Sequence, residues 1–410
     1  MGMRLVVIVA MLAFCAKIFL AVHTYGTNDM LFYEAYWKKS IEPDGGAGLY
    51  RDGIELRQNG RVYRHEHYMN PPFVIHWMRL AGWCADRTNL GFQFWMRLPS
   101  IVADAGILIL CWFLVRPASA RTLFAFALLA LSPVSILVSG FHGSTDSVMI
   151  LFVLATLWLL EKGSHFPLAG LAMGMSLNVK IWPVILIPAI LAWVPCWRRR
   201  AVFSGCCVLA FAIGSTPFLW QAPGLVWERV FGYGSVYGVW GLSRLMSWIS
   251  AATGVDLFNE FFRFAGPYMV AGGMALLGLW MARRFPRSPL VMRLGLVACL
   301  FLVLTPGFGL QYLAWVAPWG VLLGPEALLL VQFAGTLFLV SVYNYWSDTF
   351  PWYLANSLVK GTWRHATIFY EILCWGSILV LALLFQAAVR RGELPTGTAP
   401  QRKIPKRRPA

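Results

Sequence analysis

The chain has 410 residues, of which 59% are hydrophobic and 13% charged, with a mean hydropathy of +0.63 and a formal net charge of +16. A soluble domain carries about 25% charged residues, so this composition excludes a water-covered globule and points to a bilayer as the solvent. The positive balance does not indicate nucleic acid, because the basic residues sit mainly in short connections and in the C-terminal tail, where the positive-inside rule puts them.

A membrane-spanning helix needs roughly 20 apolar residues, within a range of about 17–25. The first such run, Met3–Val22, has Arg4 at its start and lacks a clear small-residue cleavage site, so it reads as a retained span and not as a signal peptide. A long polar loop follows, about 23–97. Within it Phe73–Leu98 mixes aromatic residues with Arg79, Asp86, Arg87 and Arg97 and reads as an interfacial helix on the outer face. Further spans are expected at 98–115, 122–139, 145–161, 166–178, 181–197, 201–219, 266–283, 289–305, 311–323, 327–345 and 368–388. The expected fold is thus an all-α polytopic membrane protein with about twelve transmembrane helices and a long first periplasmic loop carrying interfacial helices.

With the N-terminus cytoplasmic, Arg116, Arg121, Lys162, Arg198–Arg200, Arg283, Arg284, Arg287, Arg293, Arg390 and Arg391 all fall on the inner side. Both termini are then cytoplasmic, the membrane is the cell inner (plasma) membrane, and the outer loops are about 23–97, 220–265 and 346–367. Residues 1–390 form the transmembrane body, and 391–410 form a basic, Pro-containing, disordered cytoplasmic tail suited to anionic lipid heads. All cysteines but Cys84 lie in or at the ends of apolar runs, and no CxxC occurs, so neither a disulfide framework nor a Cys-ligated metal is expected.

Polar residues able to carry chemistry recur at the outer ends of these spans. Thr27-Asn28-Asp29 begins the first loop, followed by Glu34 and the aromatic residues Tyr33, Tyr36 and Trp37. Asn28 or Asp29 has the position of a helix N-cap; Asp29 also has the position of a general base at the water–lipid boundary. His65-Glu66-His67 has two histidines at i and i+2 but no third ligand, so no metal is expected there. Asn70-Pro71-Pro72 forces an extended lead-in to the next helix. In His142-Gly143-Ser144-Thr145-Asp146-Ser147, Asp146 suits a helix dipole, and Gly143 with His142 equally suits a turn that contacts sugar or phosphate. Lys180 stands alone among apolar residues; it either snorkels to the surface or serves a phosphate. Pro306-Gly307-Phe308-Gly309 breaks a helix just before Gln311 and Tyr312, which offer polar groups towards the same face.

Taken in order, the acidic residue and aromatic helix at 29–37, the Pro-Pro lead-in at 70–73, HGSTDS at 142–147, NVKIWP at 178–183 and PGFGLQYLAW at 306–315 resemble the GT-C superfamily of glycosyltransferases. Within it the chain looks most like the GPI first-mannosyltransferase type and the bacterial polyprenol-phosphate-mannose enzymes. The resemblance implies an extracytoplasmic site and inverting transfer of a hexose from a polyprenyl-phosphate donor to a glycan or glycolipid acceptor. It implies Asp29 as catalytic base, with Asn28 standing where some relatives have a second Asp, and no cofactor or divalent metal. On the chemistry of such a transfer, Lys180, His142, Asp146, Gln311 and Tyr312 would hold the donor's phosphate and sugar. Glu34, Glu66 and Asn70 would support the loop or the acceptor. The competing classes are a secondary transporter, which calls for internal symmetry and midplane charges, and a non-catalytic envelope-assembly protein, which has no need of Asp29.

Overall fold

In the computed structural model the described residues are 2–43, 45–58, 60–65, 68–117, 119–232, 234–347, 350–363 and 367–392. Glu66, His67 and the predicted tail from 393 onward lie outside them. The first helix, α1 (Met3–His23), is apolar around most of its circumference and points Met11, Leu12 and Phe19 outward, as a lipid-facing helix does. Among the described residues seven helices are long and apolar enough to cross a membrane: α1, Phe92–Val115, Ala120–His142, Trp197–Gln221, Leu257–Arg284, Pro325–Trp346 and Ile368–Arg391. The other expected spans are helical too, but Phe166–Val179, Trp182–Trp193, Leu290–Leu304 and Leu310–Leu323 are shorter apolar pieces.

The first loop is ordered from its own residues. Thr27 caps α2 (Asn28–Ser40), its hydroxyl accepting the Asp29 N–H at 3.4 Å. After α3 (Ala47–Asp52), the strands β2 (Ile54–Gln58) and β3 (Arg61–His65) pair antiparallel, a hairpin that an all-α expectation did not contain. Its register sets Ile54 opposite His65 and Leu56 opposite Tyr63 on the face turned inward, leaving Glu55, Arg57 and Arg64 exposed. The amphipathic helix α4 (Phe73–Ala85) buries Val74, Ile75, Trp77 and Met78 and exposes Leu80 and Trp83.

Two expected boundaries shift. The interfacial segment ends with α4, because residues 92–97 already belong to the spanning helix α5 (Phe92–Val115). Arg97, which made that stretch look like a surface, is fully buried, and its guanidinium donates to the Thr24 carbonyl at 3.1 Å and to the Tyr25 carbonyl. The second outer loop holds helices at Pro223–Phe231 and Gly241–Thr253 and ends at Leu257, where the 28-residue helix Leu257–Arg284 begins. Arg293, counted among the inner-loop cations, is buried and donates to the carbonyls of Phe285 (2.6 Å) and Ser288 (2.7 Å).

Short strand pairs tie distant connections together. Gly26–Thr27, β1, pairs parallel with Leu354–Ala355, and Val236–Tyr237 pairs antiparallel with Gly307–Phe308. Inside the bundle, Phe166–Val179 lies against Trp197–Gln221 through Gly170 and Gly174, where a Cβ would come within 2.3 Å of the Phe203 and Cys207 carbonyl oxygens. Such close backbone approach through small residues is how helices pack in lipid. Buried between α1, α5 and the segment 135–139, Lys17 Nζ donates to Asp104 Oδ2 at 2.6 Å. Ser135 and Ser139 donate to the same oxygen at 2.7 and 2.6 Å, so three donors converge on one carboxylate oxygen.

Candidate active site

Asp29 occupies the second position of α2, and because Thr27 serves as the cap, its carboxylate is not spent on the helix end. Asn28 Oδ1 is likewise engaged elsewhere, accepting from the Ser357 hydroxyl at 2.7 Å. The Asp29 side chain is 29% exposed, whereas the His142 imidazole beside it is almost wholly buried. His142 Nε2 lies 3.1 Å from Asp29 Oδ2, and His142 Nδ1 lies 2.9 Å from the Tyr343 hydroxyl.

Three features of the chain deliver His142 to this place. Residues Ile136–His142 form a wide π-helical turn, a local form that recurs at functional sites. Gly143 then takes φ +87°, a left-handed conformation that favours glycine, and a Cβ there would meet the Met30 side chain at 2.6 Å. Finally, Thr27 donates its hydroxyl to the His142 carbonyl at 3.0 Å, joining the start of α2 to the end of the π-helical turn.

Burial works against the charge on Asp29, but the His142 hydrogen bond and the electrostatic pull of His142, Lys180 and His65 outweigh it and hold the carboxyl below its ordinary range. His65 reaches over α2 from β3, its Nδ1 2.6 Å from the Tyr36 hydroxyl and its ring 4.6 Å from that of Phe32. Burial, and then the charge of Asp29, pushes the Tyr36 phenol well above its usual value, so it stays neutral.

Asp146 is the opposite case. It is fully buried, and its carboxylate accepts from the Trp315 indole at 2.6 Å and from the Ser144 hydroxyl, with Lys180 Nζ 3.2 Å away. Lys180 stands in extended backbone at the end of Phe166–Val179 and turns inward: only 10% of its side chain is exposed, and its ammonium lies 5.6 Å from the centre of the Tyr312 ring. Tyr312 stacks on Trp315 at 4.1 Å, and Trp315 on Trp182 at 4.3 Å, forming an aromatic wall beside the ammonium.

The fold therefore gathers Asp29, His142, Asp146, Lys180 and Tyr312. Gln311 is half-buried with its amide close over Gly309. Glu34 accepts from Tyr25 at 2.5 Å and from Lys38 at 2.6 Å, and Asn70 contributes its carbonyl to the Tyr50 hydroxyl at 2.8 Å. These last two brace the loop. Tyr343 was not anticipated: it sits inside the apolar run 327–345 among residues of the same aromatic character, and only the fold reveals its partner.

The chain has recognisable relatives. The family described as "Dolichyl-phosphate-mannose-protein mannosyltransferase" matches residues 72–227, a span that contains His142, Asp146 and Lys180. A protein of Neurospora crassa named "GPI mannosyltransferase 1" is 33% identical over 107 residues, which is 26% of this chain and 20% of that protein. The chain thus spans about a fifth of the length of the curated relative it matches. By these two matches the chain is similar to the GT-C superfamily mannosyltransferases, in agreement with the resemblance of its motifs.

Proposed function

We propose that this chain is an integral-membrane inverting glycosyltransferase that moves a hexose, mannose before others, from a polyprenyl-phosphate donor to a hydroxyl of a lipid-linked or glycan acceptor. One observation carries the reading: a part-exposed carboxylate, Asp29, is kept ionised by buried His142 and lies within electrostatic reach of Lys180.

In the reaction the acceptor hydroxyl gives its proton to Asp29 as its oxygen bonds to C1 of the sugar. The bond from C1 to the phosphate oxygen breaks, and its electron pair leaves with the lipid phosphate. That leaving group is stable as an anion and needs a cation more than a proton. Lys180 supplies the cation, Asp146 with Ser144 and Trp315 holds it in place, and the Tyr312–Trp315–Trp182 stack offers a flat surface for the sugar or the first isoprene units. Gln311 is assigned to the same pocket. A single displacement inverts the anomeric centre. A retaining route would need a second carboxylate free to act as nucleophile, and Asp146, fully buried and committed to three partners, does not fit that part. In this reading all twelve apolar segments are membrane crossings of the plasma membrane, both termini are cytoplasmic, the site is extracytoplasmic, and no divalent metal takes part.

The test is transfer from a panel of polyprenyl-phosphate sugars by the purified protein in lipid vesicles, wild type against Asp29→Asn. Wild type is expected to use one donor, and Asp29→Asn to lose roughly a hundredfold or more of the rate while still binding that donor. Undiminished transfer by Asp29→Asn would remove it as the base, and absence of turnover with every lipid-phosphate donor would remove the enzymatic reading.

A further inference from the structure

The hydrogen-bonded chain at the site has three members, and only its first faces the reacting groups. Tyr343 lies within the spanning helix Pro325–Trp346 with no exposed surface, and its ring is boxed in by Phe141 at 5.1 Å and Trp352 at 5.4 Å. Its hydroxyl is 2.9 Å from His142 Nδ1, and the opposite edge of the imidazole meets Asp29 at 3.1 Å. A neutral imidazole carries one N–H and one lone pair, and the hydrogen bond made at one nitrogen decides which form is present. An ionised Asp29 only accepts, so Nε2 carries the proton facing it; in a neutral ring Nδ1 then holds the lone pair, and the Tyr343 hydroxyl, protonated at neutral pH, donates to it.

We infer that Tyr343 is a positioning residue: by donating to His142 Nδ1 it fixes the imidazole in the tautomer whose Nε2–H points at Asp29. Without the hydroxyl, the ring is free to carry its proton on Nδ1 and turn a lone pair towards the carboxylate. This inference rests on the reading of Asp29 as the base. It adds that the base is prepared from a helix more than 300 residues along the chain (343 against 29).

The groups facing Asp29 are His142, Lys180 and His65, with Tyr36 and Tyr343 near enough to feel its charge. Among the influences that lower the Asp29 carboxyl, the His142 hydrogen bond is the largest, and burial opposes it. Loss of that bond removes one of the influences that oppose burial, so the carboxylate is protonated at a higher pH than in wild type and its base form is lost sooner as pH falls.

Tyr343→Phe removes one oxygen and keeps the ring, and an unchanged Tm checks that the packing survives. With 15N-histidine-labelled protein in nanodiscs, and His142→Gln to assign the signals, wild-type His142 is expected to show a protonated Nε2 and an unprotonated, hydrogen-bonded Nδ1. Tyr343→Phe is expected to show a mixture of the two forms. In transfer assays it is expected to move the acid limb of kcat/KM up by roughly one pH unit, about tenfold in rate on that limb, with the donor KM unchanged. A protonated Nδ1 in wild type, or Tyr343→Phe with wild-type nitrogen signals and a wild-type acid limb, would overturn the assignment. If wild type transfers from no donor, the proposed function fails, and the nitrogen signals still decide the role of Tyr343.

Discussion

Asp29 and Asp146 each lie at the start of a helix, and their surroundings divide the labour between them. Asp29 keeps an exposed edge and faces His142, whereas Asp146 is sealed among Ser144, Trp315 and Lys180. Sequence spacing alone leaves both as helix-start carboxylates; it was Thr27 taking the cap that released Asp29. That Asp29, His142, Lys180 and Tyr312 could meet was legible, because each sits at the end or break of an apolar run. Tyr343 was not, because an aromatic residue inside a spanning helix carries no local mark of the polar partner that the fold brings to it. The Lys180–Asp146 pair makes a prediction at this scale. Lys180→Met removes the cation for the leaving phosphate and strands a buried carboxylate, so turnover should fall roughly a hundredfold and stability by roughly 3–5 kcal/mol. Lys180→Met with Asp146→Asn should recover much of the stability, read as Tm in detergent, and none of the turnover. Recovery of both together would mean that Lys180 serves only the fold.

At the scale of elements, the apolar runs were read within a few residues wherever a helix is bounded by glycine, proline or basic residues. The misplacements have separate causes: Arg97 looked like a surface residue but is spent on buried backbone carbonyls, and the helix Leu257–Arg284 runs through Pro267, so it begins well before 266. The β2–β3 hairpin was missed because its inward face, Ile54, Leu56, Tyr63 and His65, is short and interrupted by arginines. The Lys17–Asp104 pair was also missed, since its partners stand 87 residues apart in two helices that each read as uniformly apolar. This pair clamps α1 and α5 to Ser135 and Ser139, one turn before His142, so it bears on how firmly the π-helical turn is held. Asp104→Ala leaves a buried ammonium and should cost roughly 3–5 kcal/mol, whereas Lys17→Met with Asp104→Leu should be near neutral, as apolar replacements of buried pairs often are. A double variant as unstable as the single one, by thermal unfolding in detergent, would show that the serines and not the ion pair organise this junction.

At the scale of the whole molecule, the short strand pairs bear on topology. β1 joins Leu354–Ala355, and Val236–Tyr237 joins Gly307–Phe308, so segments far apart in the chain must lie at one end of the bundle. The basic helix ends at Arg116, Arg198–Arg200, Arg283, Arg284, Arg390 and Arg391 belong, under the positive-inside rule, to the cytoplasmic end. If every apolar segment crosses, the hairpin end and the basic end face opposite aqueous phases, and Asp29 opens to the extracytoplasmic one. Glu42 and Arg391 are exposed, and under this topology they lie on opposite sides, which suits them as reporters. With Cys15, Cys84, Cys196 and Cys206 replaced by Ser, Glu42→Cys should react with an impermeant maleimide on intact cells. Arg391→Cys should react only after the membrane is opened. Labelling of both from outside would mean an even number of crossings between Glu42 and Arg391, so that not every apolar segment crosses. Labelling of Arg391→Cys alone would put the carboxylate in the cytoplasm, and an extracytoplasmic transfer reaction at Asp29 would then be ruled out.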